Sequence, residues 1–281
     1  MALAAVNKRY MAIDESDAQG SPALAASLNP EIPDRYEMKY IVPAGDVEGI
    51  RRAIEPFCAL DPHSKKLPSH QYVIHSLYLD SPDLYCYRLS RAKPAHRWKA
   101  RVRQYGEGAT VSPMVFLEVK NKDHDMVKKA RARIPAEGWR ERILGEMPVD
   151  ASPAEIMFRD RMLRYRLEPK VMVRYEREAW MSEVDFYARV TFDYNICAQE
   201  WSEYAFAGNE HSWLSLDSRR VLRQVPEGVV VELKCTTAVP RWMSNLANSL
   251  AMSRTRYSKF CNGIERLWGR DTLLGTLHHF T

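Results

Sequence analysis

The stretch from Phe116 to Lys122 sets Glu118, Lys120 and Lys122 at alternate positions, the spacing of a β-strand with one ionisable face. The same residue types recur at the same spacing elsewhere. Arg35, Glu37 and Lys39 alternate with Tyr36, Met38 and Tyr40, and Arg97, Lys99, Arg101 and Arg103 alternate with Trp98, Ala100 and Val102. Lys129, Arg131 and Arg133 alternate with Ala130, Ala132 and Ile134. Arg189, Thr191 and Asp193 face away from Val190 and Phe192, and Glu232 and Lys234 face away from Val231 and Leu233. A sheet face turned to water would mix Lys, Glu, Ser and Gln in similar shares, whereas here cations dominate and carboxylates are few. If such a sheet curls into a barrel, these faces line a cationic bore suited to polyphosphate chains and the divalent metals that accompany them.

The elements that must position these residues follow from the remaining pattern. Asp46 to Phe57 places Val47, Ile50, Ile54 and Phe57 at helical spacing, which predicts a short helix packed beneath the sheet. Tyr72 to Asp80 reads as a strand stopped by the turn residues Ser81, Pro82 and Asp83, and Gly106 and Gly108 permit a hairpin into Val115 to Lys122. Ser152, Pro153 and Glu155 form the signature of a capping box, starting a helix that runs to about Leu167. Residues 170–179 and 188–196 read as an antiparallel pair, 229–235 as the last strand, and 240–252 and 257–268 as helices. Simple alternation puts Arg177 on one face with Val171, Val173 and Tyr175, so either that strand is bulged or apolar residues also face the bore.

Composition narrows the function classes. The 281 residues are 46% hydrophobic, with seven Trp and fourteen Tyr, enough for a sizeable core in one large domain or two small ones. Lys and Arg number 41 against 36 Asp and Glu, and the net charge of +5 is below what a nucleic-acid carrier usually shows. The five cysteines are scattered without a CxxC pair, which argues against a disulfide framework or a cysteine zinc site. No apolar run approaches a membrane span, and the first residues lack the order of a signal peptide, so a reducing, cytoplasmic setting is expected. Residues 1–30 are expected to form a mobile leader, 31–270 the folded domain and 271–281 a tail. His75, His96, His124 and His211 lack ligand spacing and read as surface or loop residues, and Asp80 and Asp193 read first as turn-makers at strand ends. His278 and His279 lie in the expected tail.

Nine short motifs in order carry a family resemblance: RYEMKY at 35–40, LYLDS at 77–81, ARVRQYG at 100–106, FLEVKNK at 116–122, VKKARARI at 127–134, RYEREAW at 174–180, ARVTFDYNI at 188–196, VVELK at 230–234 and RYSKFCNGI at 256–264. Together they resemble the VTC domain, the polyphosphate polymerase domain of the vacuolar transporter chaperone complex, within the triphosphate tunnel metalloenzymes. The resemblance implies an α+β fold, an antiparallel β-barrel tunnel with flanking helices and a C-terminal helical segment. It assigns Lys39, Arg101, Arg103, Lys120, Lys129, Arg177, Arg189 and Lys234 as phosphate-binding cations, with Ser258 and Lys259 reaching the phosphate chain from the last helix and Arg256 as a further cation. Glu232 matches the family's metal ligand, for Mn²⁺ or Mg²⁺. The superfamily's broader ExExK signature has Arg35 in place of its first glutamate, a departure shared by VTC-type members.

The activity this implies is metal-dependent transfer of the ATP γ-phosphate onto growing inorganic polyphosphate. A second reading is a tunnel triphosphatase acting on tripolyphosphate or nucleoside triphosphates, with Glu37 or Glu118 orienting water at the nucleotide-binding site. A third is a polyanion-binding module without turnover. Nucleic acid is not expected as a partner, because the aromatic residues mostly alternate with the cations and so face the other way. Coupling to transport would need a separate membrane partner.

Overall fold

The alternating segments become the strands of one sheet. The computed structural model describes residues 35–185, 187–218, 222, 228–236, 238–249 and 254–269. The expected leader and tail, with His278 and His279, lie outside the described residues. The strands are β1 (Tyr36–Pro43), β2 (Cys58–Leu60), β3 (Tyr72–Asp80), β4 (His96–Tyr105), β5 (Met114–Asp123), β6 (Met126–Pro135), β7 (Glu168–Ser182), β8 (Ala188–Glu200), β9 (Leu214–Ser215) and β10 (Gly228–Cys235). All ten join one antiparallel sheet in the order β1-β10-β8-β7-β3-β4-β5-β6, with β2 added to β7 and β9 to β8. Between β4 and β5 the chain turns at Gly106, whose φ of +85° suits glycine and where a Cβ would sit 2.0 Å from the Thr110 carbonyl oxygen.

Among the described residues the two edges of the sheet, β1 and β6, meet at one bridge. Arg35 N donates to Val127 O at 3.3 Å and Val127 N to Arg35 O at 3.1 Å. The expected closed barrel is therefore corrected to a curled, tunnel-like sheet. Beyond that bridge the gap is spanned by side chains, Glu37 of β1 pairing with Lys120 of β5, and not by a backbone ladder.

Helices pack on both faces of the sheet. Helix α1 (Val47–Ile54) buries Val47, Ile50 and Ile54, and α2 (Pro62–Lys65) is a single turn capped by Asp61. Helices α3 (Tyr85–Ala92), α4 (Trp139–Leu144) and α5 (Pro153–Tyr165) follow, then α6 (Arg241–Ser249) and α7 (Lys259–Trp268). One apolar core gathers Val190, Phe192, Val231 and Leu233 under α1 and α6, where Phe57 stacks on Trp242 at 5.5 Å. A larger core gathers Val115, Leu117, Ala132 and Ile134 with Phe158 of α5. Each fully buried side chain of this size contributes roughly 1.5–3 kcal/mol. Ser152 caps α5 through Glu155 N at 3.3 Å, but Glu155 does not complete the expected box: its carboxylate is held by Arg142 at 2.7 and 2.8 Å. Among the described residues, no helix is long and apolar enough to cross a membrane.

Helix α7 packs on the concave face. A Cβ on Gly263 would lie 3.1 Å from Val171 Cγ2 and 3.4 Å from Ala198 Cβ, so β7 and β8 turn apolar residues inward to meet it. The second alternative for β7 holds: Val171 and Val173 share the concave face with Tyr175 and Arg177, and β7 runs in unbroken register against β3 over these residues, while the bulge lies in β8, where Asn195 and Ile196 stand opposite Tyr175 alone.

Candidate functional site

Glu118, in the middle of β5, is fully buried, and four cations converge on its carboxylate. Arg101 Nε donates to it at 2.7 Å, Lys129 Nζ stands at 2.5 Å, and Arg131 and Arg103 lie at 3.2 and 3.9 Å. Strand register makes this meeting inevitable, because Arg101 on β4 and Arg131 on β6 are the cross-strand partners of Glu118. Burial alone would raise the Glu118 carboxyl, but Arg103, Lys129, Arg101 and Arg131 hold it well below the usual carboxylate range. Lys129 is pushed well below the usual ammonium range, by burial first and then by the neighbouring arginines.

Two more carboxylates sit diagonally across the β1–β10 ladder, where Glu37 opposes Lys234 and Lys39 opposes Glu232. Arg35 donates to Glu37 at 2.7 Å, and Lys120 pairs with the other carboxylate oxygen. Glu232 is shared by Lys234 at 2.8 Å, Lys39 at 3.4 Å and Arg177 at 3.8 Å. Burial would raise the Glu37 carboxyl, yet Lys120 and Arg35 bring it down to about 2. Burial first, then Lys39 and Arg35, push Lys120 down to about 8 despite Glu37; burial, then Arg177, pushes Lys234 down to about 7 despite Glu232.

Asp193 is the fourth carboxylate. Arg177 forks onto it at 2.6 and 2.8 Å, and Lys259, the first residue of α7, also pairs with it. The ammonium of Lys259 lies 4.4 Å from the Tyr175 ring centre. Ser258 caps α7 through Cys261 N at 3.2 Å, and its hydroxyl accepts from Lys99 Nζ at 2.9 Å. Phe260 stacks on Tyr78 at 5.1 Å, and the Tyr78 hydroxyl accepts from Arg101 at 2.9 Å. Burial would raise that phenol, but Arg101, Arg103, Lys99 and Lys259 lower it to about 8. Ten cations thus share four carboxylates among the described residues. A buried surface so short of negative charge and of acceptors is matched by a chain of phosphates, which supplies both.

The profile of the VTC domain family matches residues 34–268. The chain belongs to the VTC domain family. That family comprises tunnel proteins of phosphoryl transfer that bind triphosphate and polyphosphate. Among curated proteins none matches the chain. Solved structures give distant likenesses. The PH1819 protein of Pyrococcus horikoshii is 13% identical with a TM-score of 0.42, covering 82% of this chain and 98% of that one. A candidate adenylate cyclase of Bacillus halodurans is 10% identical with a TM-score of 0.45, covering 80% of this chain and 94% of that one.

Of the residues the VTC resemblance singles out, Lys39, Arg101, Arg103, Lys120, Lys129, Arg177, Lys234 and Lys259 come together around Glu37, Glu118, Glu232 and Asp193, with Ser258 beside Lys99. Arg189 stands nearer the rim, bonded to Asp61 at 3.1 Å. Arg256 is not brought in and is exposed on the segment before Tyr257. The sequence reading missed Asp193 as a site residue: it lies inside β8, fully buried, and not at a turn. Its alternation with Arg189 and Thr191 was the available signal. Asp80 does serve structure, accepting the backbone N–H groups of Ser81, Cys86 and Tyr87 at the start of α3. His75 is a buried β3 residue beside Trp213, correcting its surface reading, while His96 and His124 are exposed beside Asp123. Tyr78, Tyr105 and Tyr175 share the concave face with the cations, so the premise that aromatic rings face away from the bore is also corrected.

The donor set fits a divalent cation only together with a substrate. Among the described residues no group of three or more His, Cys, Asp or Glu could hold a metal unaided. Hard cations such as Mg²⁺ commonly take one or two carboxylates and fill the remaining positions with phosphate oxygens and water. Glu232 and Glu37 destabilise each other's charge across the ladder, which is the setting that a divalent ion relieves.

Proposed function

We propose that this VTC-family chain is a metal-dependent polyphosphate polymerase that transfers the γ-phosphate of ATP to a growing inorganic polyphosphate chain. The observation that carries this reading is the state of the carboxylates. Glu37 and Glu118, the two groups that could orient water for hydrolysis, are each locked by at least two cations. A carboxylate so held has little basicity left for general-base work. Transfer to a phosphate acceptor needs no such base, because the attacking oxygen is already an anion.

In this reading Arg101, Arg103, Lys129 and Arg177 fix the phosphate chain, their planar forks and compact charges matching its oxygens. Lys39, Lys120 and Lys234 neutralise the charge that shifts as the bond between the β- and γ-phosphates breaks. A terminal oxygen of the acceptor forms the new P–O bond to the γ-phosphorus in line, and ADP leaves with the bonding pair, so no proton need move. Lys99, Ser258 and Lys259 orient phosphates from the α7 side. Glu232, with Glu37, would hold the Mn²⁺ or Mg²⁺. When bound, that ion supplies charge neutralisation between phosphate oxygens.

The test is incubation of the full chain with ATP and Mn²⁺, resolving ADP, free phosphate and polyphosphate separately. Polyphosphate appearing in step with ADP supports the polymerase. Free phosphate in step with ADP replaces it with the hydrolase, and no turnover with tight polyphosphate binding replaces it with the binding module.

A further inference from the structure

Away from α7, the tunnel carries a feature that a bare phosphate chain does not need. Tyr72 on β3, Tyr105 on β4 and Phe116 on β5 turn toward the concave face: Tyr72 is the cross-strand partner of Arg177, and Phe116 of Arg103. Their rings form a continuous run, with Tyr72 and Tyr105 centres 6.1 Å apart and Tyr105 and Phe116 centres 5.3 Å apart and edge to face. Arg131 closes it, its guanidinium 3.8 Å from the Phe116 ring centre and its Nη2 donating to the Tyr105 hydroxyl at 2.8 Å.

Core packing accounts for this run only in part: Tyr72 and Tyr105 pack against the larger apolar core, and Phe116 packs against neither. All three rings are half-buried, whereas Ile74, Val115 and Leu117 beside them are fully buried. Arg133, the partner of Phe116 on β6, is exposed, which places these rings toward the solvent end of the charged face. Inward along β5, Glu118 and then Lys120 follow at two-residue steps, so about 13 Å of strand separates Phe116 from Lys120. That is the order of the span from the base to the terminal phosphate of a nucleoside triphosphate.

We infer that the rim formed by Tyr72, Tyr105 and Phe116 is a nucleobase subsite, which makes this tunnel bind a nucleoside triphosphate more tightly than inorganic tripolyphosphate. The inference rests on the proposed function and adds where the nucleoside of the donor lies. The base stacks on the rings while the triphosphate runs inward past Arg103 and Arg101. Every base has a π-face, so stacking on these rings discriminates weakly among bases.

The experiment measures binding of ATP and of tripolyphosphate, each with Mg²⁺, to the wild type, Tyr72→Leu, Phe116→Leu and Tyr72→Trp. Stacking losses of this kind weaken binding roughly tenfold to a hundredfold. The expected result is a loss of that size for ATP in both leucine variants, with tripolyphosphate affinity within about twofold and Tyr72→Trp retaining ATP. Retention by Tyr72→Trp separates lost stacking from a damaged fold. Equal losses for both ligands, or ATP and tripolyphosphate binding alike in the wild type, overturn the base subsite and leave the proposed function standing. Binding of neither ligand by the wild type overturns both.

Discussion

At the residue scale the bore is electrostatically frustrated, and the frustration has a direction. Among the described residues Glu118 is the counter-charge shared by Arg101, Arg103, Lys129 and Arg131, so Glu118→Gln leaves one buried and three half-buried cations facing one another. Breaking a buried pair in this way costs about 3–5 kcal/mol, which a denaturant titration reads directly. Lys129→Met does the reverse: it removes a cation that burial and three arginines already disfavour, and is expected to add roughly 1 kcal/mol of stability while weakening tripolyphosphate binding. Lys120 gives a pH signature. Its ammonium, lowered to about 8 in the free tunnel, rises again when phosphate neutralises its neighbours, so the bound form holds more protons near pH 8. The Lys120 contribution to tripolyphosphate affinity is therefore full below pH 8 and falls as the pH rises above it. Calorimetry in buffers of different ionisation heat should find proton uptake at pH 8 in the wild type and less in Lys120→Arg, which stays charged throughout.

At the scale of elements, α7 docks on the concave face of the curled sheet and completes the charged site. It contributes Lys259 and Ser258 and seats Phe260 against Tyr78, and it approaches β7 and β8 closely because residue 263 has no side chain. Gly263→Leu must push the helix away from Val171 and Ala198. Overpacking of this kind costs about 1–3 kcal/mol, and here it also withdraws Lys259 from Asp193. Thermal melts should record the first effect and a loss of tripolyphosphate affinity the second; unchanged affinity would remove α7 from the site. This element also explains what alternation could not say about β7. Val171 and Val173 share a face with Arg177 because one end of the concave surface is lined for a helix and the rest for phosphate.

At the scale of the whole molecule, folding gathers charges of one sign, and the ligand completes the balance. Tripolyphosphate at a hundred times its dissociation constant should stabilise the fold by about 2.7 kcal/mol, raising the melting temperature by roughly 5–10 °C. The rise should shrink as salt is added, since screening weakens each contact. An unchanged melting temperature in tripolyphosphate at low salt would count against a phosphate-binding tunnel. The sequence by itself determined the strands, because side-chain direction alternates with a period of two and each cation was already committed to one face with Glu37, Glu118 or Glu232. It also determined the family, through nine motifs in order. Only the tertiary structure decided which strands are neighbours, and hence that Glu118 collects four cations and that Asp193, read as a turn residue, is held between Arg177 and Lys259. It also decided that, among the described residues, the edges meet at one bridge, that Arg256 stays outside, and that Tyr72, Tyr105 and Phe116 line up at one rim. Cross-strand register and helix docking join residues far apart in the chain, and local periodicity carries no information about either.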